Sequence, residues 1–227
     1  MNTEQKLRDR QWFKLAMIVL GVFLVIMLVE LKLHNPFEKI KLINQSSNEE
    51  ILDMTSVVTS SDPFLGNEQA KIQIVEFGDF ACPYCRQAAP IMRSLMAEYQ
   101  DKVFFQFRDY PVVTTESMWL AMAADCADEQ NKFWAFSDKL FQNQGEVSEE
   151  TIYNLAKSVG LATDRFKNCL TTQKYKSEVV EDFNDGEALK IEGTPTFFIN
   201  GRKVKGVPDA EIWRSLLDEL ISLYEEN

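Results

Sequence analysis

Two of the four cysteines, Cys82 and Cys85, stand three positions apart in the stretch Phe-Ala-Cys-Pro-Tyr-Cys. Such a pair can be half of a metal site, a structural staple or a reactive dithiol. Structural zinc is usually held by two close ligand pairs. Here the other cysteines, Cys126 and Cys169, are singletons, and the sole histidine is His34. The spacing therefore points to a reactive dithiol, with a structural CxxC disulfide and a zinc site as the alternatives. No metal site is expected.

The reactivity of such a pair depends on where the chain places it. Upstream, Lys71 to Phe77 (KIQIVEF) is short and rich in β-branched and aromatic residues, as a buried strand would be. Downstream, Ala88, Ile91, Met92, Leu95 and Tyr99 recur at the spacing of one helical face. Pro90 lies inside that helix and is expected to kink it. The motif thus falls between a strand end and a first helical turn. The N–H groups of that turn lack intrahelical partners, and the helix dipole is positive there. A cysteine at this position is stabilised as thiolate, to a pKa of roughly 3.5–7.5 against about 8.5 for a free thiol. Pro83 suits the first helical position because it gives up an N–H that had no partner. Cys82 is then the nucleophile and good leaving group, and Cys85, one turn in, resolves it.

Composition bounds the rest. The chain has 227 residues, 45% of them hydrophobic, which suits one compact domain plus extras. A formal charge of −11 argues against nucleic acid as a partner. With one imidazole, Ser-His and Cys-His catalysis are disfavoured, and no phosphate-cradling glycine motif occurs.

Leu15 to Val29 is an unbroken apolar run. Trp12, Phe13, Leu31 and Leu33 extend it to the ~20 residues that a hydrocarbon core requires. We expect a short cytoplasmic tail at 1–11, a transmembrane anchor at 12–33 and a polar tether at 34–60. A buried core helix and a cleaved signal peptide are the alternatives, but no small-residue cleavage site follows the run. Lys6, Arg8, Arg10 and Lys14 precede the span, while Lys32, Lys39 and Lys41 follow it, so the positive-inside rule leans toward a cytoplasmic N-terminus.

The stretches Asp62–Cys85 (DPFLGNEQAKIQIVEFGDFACPYC), Gly193–Gly201 (GTPTFFING) and Cys126–Gln144 (CADEQNKFWAFSDKLFQNQ) together resemble the DsbA-like thiol:disulfide oxidoreductases, thioredoxin-fold proteins of the bacterial cell envelope. The likeness runs from about Asp62 to the C-terminus. It implies an α/β thioredoxin-like domain over 61–227 with an inserted helical domain at about 114–190. Local patterns agree. Val103 to Asp109 (VFFQFRD) alternates as a strand, and Asn200-Gly201 joins TFFIN to RKVKG as a hairpin turn. Ile212, Leu216, Leu220 and Leu223 mark a closing helix, Gly160 suits a helix C-cap, and Phe133, Trp134, Phe136, Leu140 and Phe141 read as core.

The resemblance also assigns roles. Pro195 matches the family's cis-proline beside the dithiol, and the Thr194 backbone would pair with an extended substrate peptide, near Pro83 and Tyr84. Glu76 matches a buried acid proposed to relay the resolving cysteine's proton; a solvated glutamate at a strand edge is the alternative. Cys126 and Cys169 correspond to a second, structural disulfide within the insert, against two buried free thiols or a second redox pair. Such a bridge implies an oxidising compartment, hence an extracytoplasmic domain. No cofactor is expected.

The implied function is a membrane-anchored dithiol oxidase that introduces disulfides into secreted or envelope proteins. A membrane quinone-linked partner of the DsbB or vitamin K epoxide reductase type would re-oxidise it, and the protein is expected to be a monomer. The family's strongest oxidases carry Pro-His between the cysteines, whereas this chain carries Pro83-Tyr84. Tyrosine supplies no imidazolium, so an intermediate redox potential is expected and the direction, oxidase or isomerase-reductase, stays open. A non-catalytic anchored binding module with a structural CxxC is the reading from another class.

Overall fold

Apolar residues fall on both faces of the two longest strands, IQIVEFG and VFFQFRD, and every residue of them except the half-buried Gln73 is buried, so both must lie inside a sheet covered by helices. The computed structural model describes residues 17–28, 51–145 and 148–225. The strands are β1 (Phe64–Gly66), β2 (Ile72–Gly78), β3 (Val103–Asp109), β4 (Thr196–Ile199) and β5 (Arg202–Lys205), in the order β1-β3-β2-β4-β5. β2 and β3 are parallel, from Ile72 opposite Val103 to Gly78 opposite Asp109. β4 runs antiparallel to β2 with Glu76 opposite Phe197, and β5 returns antiparallel to β4.

A parallel pair needs a crossover, and α1 (Pro83–Tyr99) supplies it between β2 and β3. Its helical assignment continues through Pro90. Between β3 and β4 lie α2 (Ser117–Asp128), α3 (Phe133–Gln142), α4 (Glu149–Ser158), α5 (Thr163–Thr171) and α6 (Lys176–Ala188). Leu120, Ala124, Phe136, Leu140, Ile152 and Phe166 form their common core, which is continuous with Phe80 and Phe107 of the sheet layer. This is the thioredoxin-like α/β arrangement with a helical insertion. Cys126 of α2 and Cys169 of α5 are disulfide-bonded, with Cα atoms 5.8 Å apart. Gly160 has φ +78 just past α4 and donates its N–H to the Lys157 carbonyl, a left-handed helix end that glycine adopts without strain. The last helix, α7 (Ala210–Glu225), buries Trp213, Leu216, Leu217 and Leu220.

Four features depart from the sequence reading. β1 pairs antiparallel with β3 although its three residues carry no strand pattern. Pairing there depends on Gly66 at φ +87, where a Cβ would overlap the Val103 carbonyl. Leu223 is exposed near the end of α7, whereas Trp213 near its start is buried and packs edge-on against Phe197 at 5.1 Å. The folded unit also claims residues 51–60, the end of the expected tether. There Asp53 caps a 3-10 turn (Met54–Ser56), Val57 is fully buried, and the Leu52 N–H donates to the Gly201 carbonyl at 2.9 Å. The fourth departure is a buried arginine in a strand that reads as apolar. Arg108 is buried and pairs with Asp182 and Asp185 of α6 and with Asp62, while its Nη1 donates to the Val57 carbonyl. A buried guanidinium is tolerable only with such partners.

The chain divides into two units, Met1–Ser46 and Ser47–Asn227. In the first, 17–28 is helical with its apolar side chains exposed. Among the described residues no helix is long and apolar enough to cross a membrane. The tail at 1–11, the flanks 12–16 and 29–33 of the expected anchor, and positions 34–50 of the expected tether lie outside the described residues.

Candidate active site

At the C-terminal end of β2 the chain makes a tight passage into α1. Asp79 holds it: Oδ1 accepts from the Ala81 N–H at 2.8 Å, and Oδ2 accepts from the N–H groups of Val112 and Val113, both at 2.8 Å. The Cys82 N–H donates back to the Asp79 carbonyl. Cys82 is the N-cap of α1, with extended backbone at φ −77 and ψ 122, and Pro83 opens the helix. The Cys82 sulfur makes no side-chain cap hydrogen bond to the first turn, but the N–H groups of Tyr84 and Cys85 stand near enough to favour its thiolate.

Cys82 and Cys85 are both free thiols. Their environments push them apart. Cys82 is lowered to about 5, first by its hydrogen bond with Cys85 and then by the backbone N–H groups of Cys85 and Tyr84, against the cost of burial. Cys85 is completely buried and held well above an ordinary thiol, by burial first and then by its bond to Cys82 and the nearby charges of Glu76 and Cys82. The Asp79 N–H meets its sulfur at 3.4 Å.

Glu76 lies in β2 between Phe107 of β3 and Phe197 of β4 and is 2% exposed, so it is not a solvated edge residue. Burial, and then the charge on Cys82, push it up to about 8. A carboxyl that titrates near neutrality beneath a dithiol can hold or release one proton there.

The loop before β4 faces the same point. The Thr194–Pro195 peptide is cis, and the Cys82 thiol donates to the Thr194 carbonyl at 3.2 Å. The Thr194 hydroxyl is buried without a partner. Tyr84 and Pro83 are exposed beside the sulfur. The structure thus gathers Cys82, Cys85, Glu76, Thr194, Pro195, Pro83 and Tyr84 into one place. It leaves Cys126 and Cys169 in the core of the insert. Among the described residues no cluster of His, Cys, Asp or Glu could hold a metal.

Two residues of this site escaped the sequence reading. Asp79 grips backbone 33 residues downstream, and Gln144 of the insert donates to the carbonyls of Phe80 and Cys82. An aspartate after an apolar strand is a weak turn signal for the first. Nothing in the sequence flags the second.

A family model described as "Thioredoxin" matches residues 58–219. Among curated proteins, the chain is 33% identical over 162 residues to "Na(+)/H(+) antiporter NhaA 1" of Salinispora arenicola, covering 70% of this chain and 25% of that protein. The chain therefore spans about a quarter of the length of these first relatives. It is 30% identical over 172 residues to "Probable disulfide bond formation protein D" of Bacillus anthracis, covering 70% of this chain and 78% of that one. Among solved structures it is similar to oxidised BdbD from Bacillus subtilis, with TM-score 0.64, 25% identity, and coverage of 71% of this chain and 94% of that one. A thioredoxin-like oxidoreductase from Silicibacter pomeroyi gives TM-score 0.64 at 26% identity, covering 71% and 93%.

Proposed function

Because this chain belongs to the thioredoxin family, among its DsbA-like members, we propose that it is a thiol:disulfide oxidoreductase working as a dithiol oxidase on secreted or envelope proteins. The observation that carries the reading is the asymmetry of the pair. Cys82 caps a helix against the cis Thr194–Pro195 peptide, while Cys85 is sealed beneath it.

In the oxidised enzyme Cys82 and Cys85 share a disulfide. A substrate thiolate attacks the Cys82 sulfur; the S–S bond breaks, and its electron pair leaves on Cys85. Cys85, whose pKa lies well above neutrality, takes a proton, which Glu76 supplies on this reading, its own raised pKa keeping one available. A second substrate thiolate then attacks the substrate sulfur of the mixed disulfide and expels Cys82 as thiolate. The substrate has lost two electrons and the enzyme has gained them. A leaving thiol of low pKa speeds the final step. Thr194 and Pro195 present the backbone edge on which the substrate segment is held during exchange.

Re-oxidation falls to a membrane quinone-linked partner of the DsbB or vitamin K epoxide reductase type. The apolar run around the helical segment 17–28 supports anchoring by a single span over 12–33. The Cys126–Cys169 bridge supports an oxidising, extracytoplasmic location for the folded unit. Tyr84 favours the second reading, a reductase or isomerase, because it brings no cation to Cys82.

Titration of the Cys82–Cys85 couple against glutathione tests the assignment. An oxidase should sit toward the about −120 mV end of the range and a reductase toward about −270 mV. Insulin reduction and scrambled-substrate assays then separate reductase from isomerase. A Cys82 inert to a thiol probe at neutral pH would leave a non-catalytic module.

A further inference from the structure

Gln144 lies two residues beyond α3, half-buried at the junction of the insert with the dithiol loop. One atom of it does two things. Its Nε2 donates to the Phe80 carbonyl and to the Cys82 carbonyl, each at 2.8 Å. These acceptors flank Ala81, whose own N–H is taken by Asp79. The Cys82 carbonyl also receives the first helical bond of α1, from the Arg86 N–H at 3.1 Å.

The direction of a carbonyl is fixed by the ψ angle of its residue. Pinning both oxygens to one donor therefore fixes ψ at Phe80 and at Cys82 together. At Cys82 that angle decides where the N–H groups of the first turn of α1 point relative to the sulfur. Asp79 secures this loop from within the sheet layer, whereas Gln144 secures it from the insert. Beyond Gln144 lies a cavity of about 330 Å³ walled by Phe80, Ala81, Leu120 and Leu140. If Gln144 were withdrawn, solvent in that cavity could satisfy each carbonyl, but no single donor would tie them together.

We infer that Gln144 is a positioning residue through which the helical insert sets the reactivity of Cys82, by holding the Phe80–Cys82 backbone in register with the first turn of α1. This inference rests on the reading of Cys82 as the nucleophile.

The test uses the reduced full-length chain and follows the rate of alkylation of Cys82 against pH, with thermal unfolding measured alongside. Gln144→Met keeps length and removes the donor; Gln144→Lys keeps a donor; Asn143→Ala perturbs the insert next door, where Asn143 caps α3 through the Lys139 carbonyl. Gln144→Met should raise the midpoint of Cys82 by about half a pH unit, the size set by one hydrogen bond of ordinary strength. Gln144→Lys should stay at or below the parent value. Asn143→Ala should lower the melting temperature and leave the midpoint in place. An unchanged midpoint in Gln144→Met, whatever its melting temperature, overturns the inference, and so does an equal shift in Asn143→Ala. If Gln144→Met fails to fold, a Gln144→Lys midpoint raised above the parent's overturns it. A parent midpoint near that of a free thiol would instead strike at the assignment of Cys82 itself.

Discussion

The molecule carries two pairs of cysteines in opposite settings. Cys82 and Cys85 lie one helical turn apart at a helix start, among backbone donors and beside a buried acid, and stand as free thiols. Cys126 and Cys169 lie 43 residues apart on two helices of the insert, within an aromatic and aliphatic core, and are bonded. The first pair has a pKa difference built into it; around the second the environment supplies packing. Placement decides whether a sulfur pair exchanges or staples, since the side chains are the same.

The comparison can be broken most sharply at the sulfurs. Cys82→Ala should abolish thiol:disulfide exchange in a dithiol oxidation assay. Cys85→Ala cannot form the internal disulfide and should lose dithiol oxidation, while its Cys82 thiolate should still attack disulfides of a substrate and accumulate mixed disulfides, visible as adducts on non-reducing gels. Cys126→Ala paired with Cys169→Ala should do the reverse. It should cost about 4 kcal/mol in denaturant unfolding on the chain-entropy view and leave the potential of Cys82–Cys85 unchanged. A potential that moved with the second pair would dissolve the distinction.

Proton linkage gives a finer test. Cys82 in the folded, reduced protein titrates at about 5 against 9.0 ordinarily, so its contribution to stability is present at high pH and is lost as pH falls toward 5. Glu76 has the opposite sign. Raised from 4.5 to about 8, it stabilises fully at low pH and progressively less as pH rises to about 8. The two slopes oppose each other between about pH 5 and 8, so Glu76→Gln should leave the gain from Cys82 uncompensated, make stability climb more steeply with pH in that window, and slow turnover several-fold. A pH profile identical to the parent's would remove Glu76 from the reaction. The smallest expected effect is at Tyr84. Tyr84→His places a cation near the thiolate and should raise the potential by about 30 mV, equivalent to about 1.4 kcal/mol.

The dithiol's setting was legible because it is local: an apolar strand, a cysteine, a proline and a helical stripe follow one another in the chain. The β4–β5 hairpin was legible for the same reason, since Asn200 at φ 45 and Gly201 at φ 80 supply the turn that the Asn-Gly pair announces. The burial of Glu76 could be suspected from its apolar neighbours. What could not be read is contact between distant segments. Gln144 reaches 62 residues back to Cys82, and Arg108 finds Asp182 74 residues on. β1 is a strand only because β3 offers it an edge.

The fastening of Leu52 to Gly201 has a mechanical consequence. β2 runs from Ile72, near that hairpin turn, toward Gly78 and Cys82, so the chain enters the folded unit at the pole opposite the reactive sulfur. A leash attached there would bear tension on the blind side of the sheet and leave the Cys82 face free to swivel.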